Sequence, residues 1–176
     1  MAKDKIDLDQ DLKELKDKLD SFVSSMKQAD DKKKVLASRC LKHLKNRIEM
    51  FEAEDSFNIP KDKTIKRGDV YWVDFGFTIG QEFGGKHPAI VLRVGGKLAI
   101  VAPLSSQEPS VKQKASGIYV EVDRVYGLKR MKRWVNVLDI RPISLQRFDF
   151  SSSGNVKGYI LDRINNALKQ CGMCGK

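Results

Sequence analysis

Five cations fall within ten residues, Arg124, Lys129, Arg130, Lys132 and Arg133, with Tyr126 among them and Trp134 directly after. Lysines and arginines at this density can follow a phosphate chain, and aromatic rings between them can stack on bases. The plainer reading is a solvated loop whose tryptophan is pinned into a core. We expect Trp134 to point inward as a strand begins, and Lys129, Arg130 and Arg133 to supply phosphate contacts. A second chemically capable point is His87, flanked by Lys86 and Pro88. An imidazole titrates near neutral pH and can take or give a proton. Cys171 and Cys174 form a single C-x-x-C, half of a zinc site. The other Cys and His nearest in type, Cys40 and His43, lie in a helical region. The cysteine pair therefore reads as part of a tail, 171–176, with no metal, and His43 as a surface residue.

Those residues sit in the more basic part of the chain. Residues 1–64 carry 15 Lys/Arg against 14 Asp/Glu, a net of +1; residues 65–176 carry 18 against 9, a net of +9. Such asymmetry points to a polyanionic partner for the second part alone. Three cysteines are too few for a disulfide scaffold and fit a reducing compartment. No apolar run approaches the roughly 20 residues that span a bilayer, and the first residues are charged. A cytoplasmic location with no membrane association is the expectation.

The elements that must position these groups follow from hydrophobic spacing. Leu8, Leu12, Leu15, Leu19, Phe22 and Met26 recur at intervals of 4, 3, 4, 3 and 4, which places them on one helical face. Ala29-Asp30-Asp31 interrupts that seam and offers an N-cap. A second seam runs through Leu41, Leu44, Ile48 and Phe51. Residues 1–57 thus read as a helical hairpin or one continuous coiled coil, and 58–64, with Pro60, as a linker. From Val70 the pattern turns strand-like: Val70–Phe75, Ala89–Val94, Lys97–Ala102, Gly117–Val122 and Trp134–Ile140. Gly95-Gly96 fits a two-residue hairpin turn, and 106–116 reads as a polar loop. Ile160, Leu161, Ile164, Ala167 and Leu168 have helical spacing and close the domain. Short strands with glycine turns predict an α+β fold, a small barrel or curled sheet with a C-terminal helix, over 65–170.

Four pieces of this region, in order, resemble one family. Ile65-Lys66-Arg67-Gly68-Asp69-Val70-Tyr71-Trp72-Val73-Asp74 looks like the opening strand of MazF/PemK toxins, the ribonuclease halves of type II toxin–antitoxin pairs. Gly80–Leu92 resembles their G-x-E-x-x-G-x-R-P segment, Val101–Ser106 the following strand with its serine-rich end, and Leu138–Ile143 a later strand. The resemblance implies an SH3-like β-barrel that dimerises, metal-independent cleavage of single-stranded RNA at short sequences, and an antitoxin protein as partner. DNA would be reached only through the antitoxin complex, and no cofactor is implied.

In that family the RNA's own 2′-hydroxyl attacks the adjacent phosphate. The reaction needs a base, an acid and positive charge on the phosphorane. Transferred to this sequence, His87 stands where the family has arginine and acts as general acid or base. Ser105, with Ser106 as the alternate register, positions the phosphate, and Glu82 orients or shares proton transfer. Lys86 supplies charge, without arginine's planar fork, and Arg67 and Ser106 join the RNA contacts. Two rivals stay open: a noncatalytic nucleic-acid-binding barrel, if His87 cannot replace arginine, and a protein-targeting toxin of the CcdB type.

Overall fold

A computed structural model describes residues 6–173. The chain divides into two compact units, with the boundary between Phe51 and Glu52.

The first unit holds two helices, α1 (Leu8–Lys27) and α2 (Asp31–Glu52). Asp7 caps α1 by accepting from the Gln10 N–H at 3.1 Å. Asp30 does the same for α2, accepting from Lys33 N–H at 2.9 Å. That second cap decides between the two readings of this segment. Once Asp30 takes an orphan amide, the chain starts a new helix instead of continuing a coiled coil. The seam residues near the break, Leu19, Phe22, Met26, Leu41 and Leu44, are half-buried, whereas Leu8, Leu12 and Phe51 are exposed. His43, expected at the surface, is half-buried too.

The second unit is built on a five-stranded antiparallel sheet. Its strands are β1 (Asp69–Asp74), β2 (Lys86–Gly95), β3 (Leu98–Pro103), β6 (Arg141–Ser144) and β7 (Phe148–Asn155), in the order β6-β3-β2-β1-β7. A separate two-stranded ribbon pairs β4 (Tyr119–Val122) with β5 (Arg133–Asn136). Single bridges, Ser105 to Trp134 and Tyr126 to Asn155, join ribbon and sheet. The expected α+β class holds, but the sheet is open and not closed into a barrel.

Strand β2 reads as a continuous apolar run because it is central and covered on both faces. Ile90 and Leu92 enter one core with Val70, Leu104, Val120, Val135 and the closing helix α4 (Gly158–Gln170). Ala89 and Val91 enter a second core with Tyr71, Val73, Phe75, Val101, Leu145 and Phe148. Phe57, Ile59 and Ile65 pack against this second core, so the segment expected as a linker is tied down by its apolar side chains.

Three local expectations shift. Gly95 pairs with Leu98, so the β2–β3 turn is Gly96-Lys97, with Gly96 at φ +59°. The polar loop contains a short helix, α3 (Val111–Ala115), made by a capping box. Ser110 Oγ accepts from Gln113 N–H, and Gln113 Oε1 accepts from Ser110 N–H at 2.8 Å. Cys171, expected in an exposed tail, is half-buried at the end of α4, its thiol donating to Leu168 O at 3.2 Å. Its companion Cys174 lies outside the described residues.

Candidate active site

The loop between β1 and β2 is cinched at its neck. Gly85 N–H donates to Gly76 O at 2.7 Å, and Phe75 N–H to Gly85 O at 2.9 Å. Gly76 and Gly85 both have positive φ, which a side chain would strain. Gly84 packs so closely that a Cβ there would sit 2.4 Å from Thr78 Oγ1. The folded loop presses Phe83 edge-on against Phe75, 5.4 Å between ring centroids, and against His87, 4.7 Å. His87 is half-buried by this packing, and the burial pushes its imidazole below the usual histidine range.

Strand register carries His87 and Ser105 towards the same end of the β2–β3 pair. Ala89 pairs with Pro103, and one step further Leu104 N–H donates to Pro88 O at 2.8 Å. His87 and Ser105 come next at that end of the two strands, past the last paired residues. Ser105 in turn bridges Trp134, exchanging N–H···O bonds of 2.9 and 2.8 Å. Beside this bridge lies a groove of about 200 Å³ lined by Phe83, Ser105, Tyr119, Trp134, Asn136 and Asp139, among others. A larger cleft of about 330 Å³, bordered by Asp62, Lys63, Asp69 and Tyr126, contains none of the expected catalytic residues.

The other expected residues are distributed unevenly. Glu82 is exposed in the glycine loop, next to Phe83; its backbone carbonyl accepts from the Thr78 hydroxyl at 2.9 Å. Among the described residues no hydrogen bond or ion pair joins its carboxylate to His87 or Ser105. Ser106 is exposed beside Ser105, whose Oγ accepts from Gln107 N–H at 3.0 Å. Lys129 and Arg130 are exposed outside the groove lining.

Arg67 is occupied elsewhere. Its guanidinium donates to Leu92 O at 2.8 Å and Asn165 Oδ1 at 3.0 Å, fastening α4 to β2. Arg133 departs from its expected place, whereas Trp134 is buried as expected, 7% exposed. The ladder pairs Glu121 with Trp134 and Val122 with Arg133. Val120, Val122 and Val135 face the core, so Arg133 shares their side and Trp134 faces the groove. Lys114 Nζ lies over the Trp134 ring, 4.9 Å from its centroid.

Lys86, beside His87, forms an ion pair with Asp149 at 2.6 Å. That bond and the Ser151 hydroxyl pull the Asp149 carboxyl down to about 2. Its folded pKa lies below the unfolded one, so the stabilisation is complete above about pH 4 and disappears as pH falls towards 2. Lys86 is more than half exposed, which limits the contribution to about 1 kcal/mol. Asp149→Asn should flatten the stability profile between pH 4 and 2 by about that amount, read by urea unfolding. A wild-type-like profile would show that the pair contributes nothing.

Sequence reasoning missed Tyr119, Asn136 and Asp139 as groove residues, and Arg141, whose guanidinium lies 5.7 Å from the Phe75 ring centroid. Burial raises the Asp139 carboxyl above the usual range. Among the described residues no cluster of three or more His, Cys, Asp or Glu could hold a metal, and no helix is long and apolar enough to cross a membrane.

Residues 66–171 match the model of the PemK-like, MazF-like toxins of type II toxin–antitoxin systems. The chain is 27% identical over 108 residues to endoribonuclease EndoA of Bacillus subtilis (strain 168), covering 60% of this chain and 91% of that protein. The crystal structure of MazF (Form-I) from Deinococcus radiodurans superposes with a TM-score of 0.52 at 18% identity, over 64% of this chain and all of that one. A mycobacterial endoribonuclease solved with its cognate antitoxin gives 0.47 at 17% identity, over 64% of this chain and 100% of that one. The family match spans more than half of the chain, and the strand order, glycine loop and closing helix fall inside it: this protein belongs to the PemK-like, MazF-like toxins of type II toxin–antitoxin systems.

Proposed function

We propose that the second unit is an endoribonuclease that cuts single-stranded RNA by 2′-hydroxyl attack, without a metal, at short preferred sequences. The observation that supports this most is the packing of His87 against Phe83, 4.7 Å between ring centroids, since Phe83 lines the same groove as Ser105. The imidazole, held neutral by burial, takes the 2′ proton. Ser105 orients the phosphate, and Lys86 brings positive charge next to His87. Glu82, exposed on the glycine loop, shares proton transfer in this reading. Ser106, Lys129 and Arg130 extend the contact along the strand.

The ribbon and sheet act together as the SH3-like barrel of the family, joined at their two bridges. Family membership supports a cognate antitoxin as partner, a homodimer as the working form, DNA contact only through the antitoxin, and a cytoplasmic site of action. The helices of residues 1–57 form an accessory unit. The rival reading, binding without cutting, is favoured by the Lys86–Asp149 pair, which holds one expected cation away from phosphate.

Incubation of the purified full-length chain with a long RNA in excess chelator separates the two readings. The nuclease reading expects cleavage at one recurrent short sequence, with a cyclic phosphate on one side and a 5′-hydroxyl on the other. RNA that is bound and left intact would establish the binding module instead.

A further inference from the structure

Two carboxylates line the groove of this basic domain, Glu108, which is ion-paired with Lys114, and Asp139. Asp139 repels the phosphates that the surrounding lysines and arginines attract, so it favours a different part of the nucleotide. It ends the short turn Val137–Asp139 and lines the groove with Phe83, Tyr119, Trp134 and Asn136. Among the described residues it has no ion-pair partner. Arg141, two residues on, turns its Nε to the backbone carbonyl of Asp139 at 3.4 Å and lays its guanidinium over Phe75. Asn136, at the start of this turn, has its Oδ1 engaged by Leu138 N–H at 3.2 Å. Acceptor capacity remains on a partly desolvated carboxylate surrounded by rings.

We propose that this groove is a nucleobase pocket and that Asp139 makes it selective for guanine. This rests on the nuclease reading and names the base it prefers. An ionised carboxylate only accepts hydrogen bonds, so the base must offer donors. Guanine presents two adjacent ones on its Watson–Crick edge, N1–H and the N2 amino group, matched to the two oxygens of one carboxylate. Adenine and cytosine offer one amino group each beside a ring nitrogen acceptor. Uracil offers one N–H between two carbonyl oxygens that the carboxylate repels. Single-stranded RNA is read in this way, its unstacked bases laid on aromatic rings and hydrogen-bonded along their edges. Tyr119 and Phe83 supply the rings, beside a Trp134 whose ring Lys114 covers, and the groove holds about 200 Å³. A good bidentate contact discriminates by about 10- to 100-fold against the wrong base.

The test uses the full-length protein and short oligoribonucleotides made uncleavable by 2′-O-methyl groups, each with one variable base, followed by fluorescence anisotropy. The guanosine oligomer should bind about 10- to 100-fold more tightly than those with adenosine, cytidine or uridine. Inosine, which lacks only the N2 amino group, should lose about 10-fold of that. Asp139→Asn should bring guanosine down to the inosine level. Equal binding of guanosine and inosine by the unmodified protein overturns the assignment whatever happens to the variant. So does an Asp139→Asn protein that weakens every oligomer equally, since a structural role would act that way. Cleavage of long RNA at sites without guanine sinks the base assignment and leaves the nuclease standing; failure to bind any RNA sinks both.

Discussion

Replacing His87 with alanine should slow RNA cleavage by about 10²- to 10⁴-fold, the usual contribution of a positioned acid or base. RNA binding should change little, because a neutral imidazole contributes no phosphate charge. The position gives the residue its direction of proton transfer. Phe83 and the loop bury the ring and push its pKa below the usual histidine range, which favours the free base that accepts the 2′ proton. The rate constant kcat/KM should therefore rise as pH climbs through the lowered pKa and level off before neutrality. An imidazolium acting as the essential acid would give the opposite limb. Single-turnover cleavage of a labelled oligonucleotide between pH 5 and 8 measures both. A variant that retains wild-type rate and profile would remove His87 from the chemistry and give weight to the binding-only reading.

The parts of this fold legible in the sequence are those whose signal is local. The 3.5-residue seam of α1, the apolar run of β2 after Pro88 and the helical spacing of Ile160, Ile164 and Ala167 each announce an element within one window. The short helix α3 is local too, and Ser110-x-x-Gln113 is its signature; the surrounding polar residues concealed it because five residues leave no periodicity. Inward and outward faces of short strands were harder. Moving the start of β5 by one residue turns Arg133 to the side of the core valines, because side chains alternate with a period of two. An arginine facing valines is the less expected choice, and only the ribbon register reveals it. The groove itself was least legible. Phe83, Ser105, Tyr119, Trp134 and Asp139 come from five different segments, and no spacing rule links them. His87 and Ser105 are legible through motif resemblance; that both lie at one end of the β2–β3 pair belongs to the ladder.

Arg133→Ala should destabilise the second unit by about 2–4 kcal/mol, whereas the double replacement of Lys129 and Arg130 should leave stability within about 0.5 kcal/mol. All three carry the same charge within five residues, so the contrast tests the structure directly. Arg133 is 5% exposed, and its guanidinium donates to Met131 O at 3.3 Å and Lys129 O at 3.1 Å. Burial lowers its pKa, but arginine keeps its proton. It acts as an internal pin for the loop that carries its two neighbours. Alanine leaves two inward carbonyls without donors and a void beside Val120, Val122 and Val135. The exposed pair should act on RNA instead. For a single strand, each phosphate that the protein ceases to neutralise lowers the slope of log K against log salt by about 0.7, so the double variant should flatten it by about 1.4. Urea unfolding and anisotropy titrations across a salt series read the two quantities independently. If Arg133→Ala unfolded like the wild type and flattened the salt slope, the side chain would be facing RNA, and the register of the β4–β5 ribbon would have to shift by one residue.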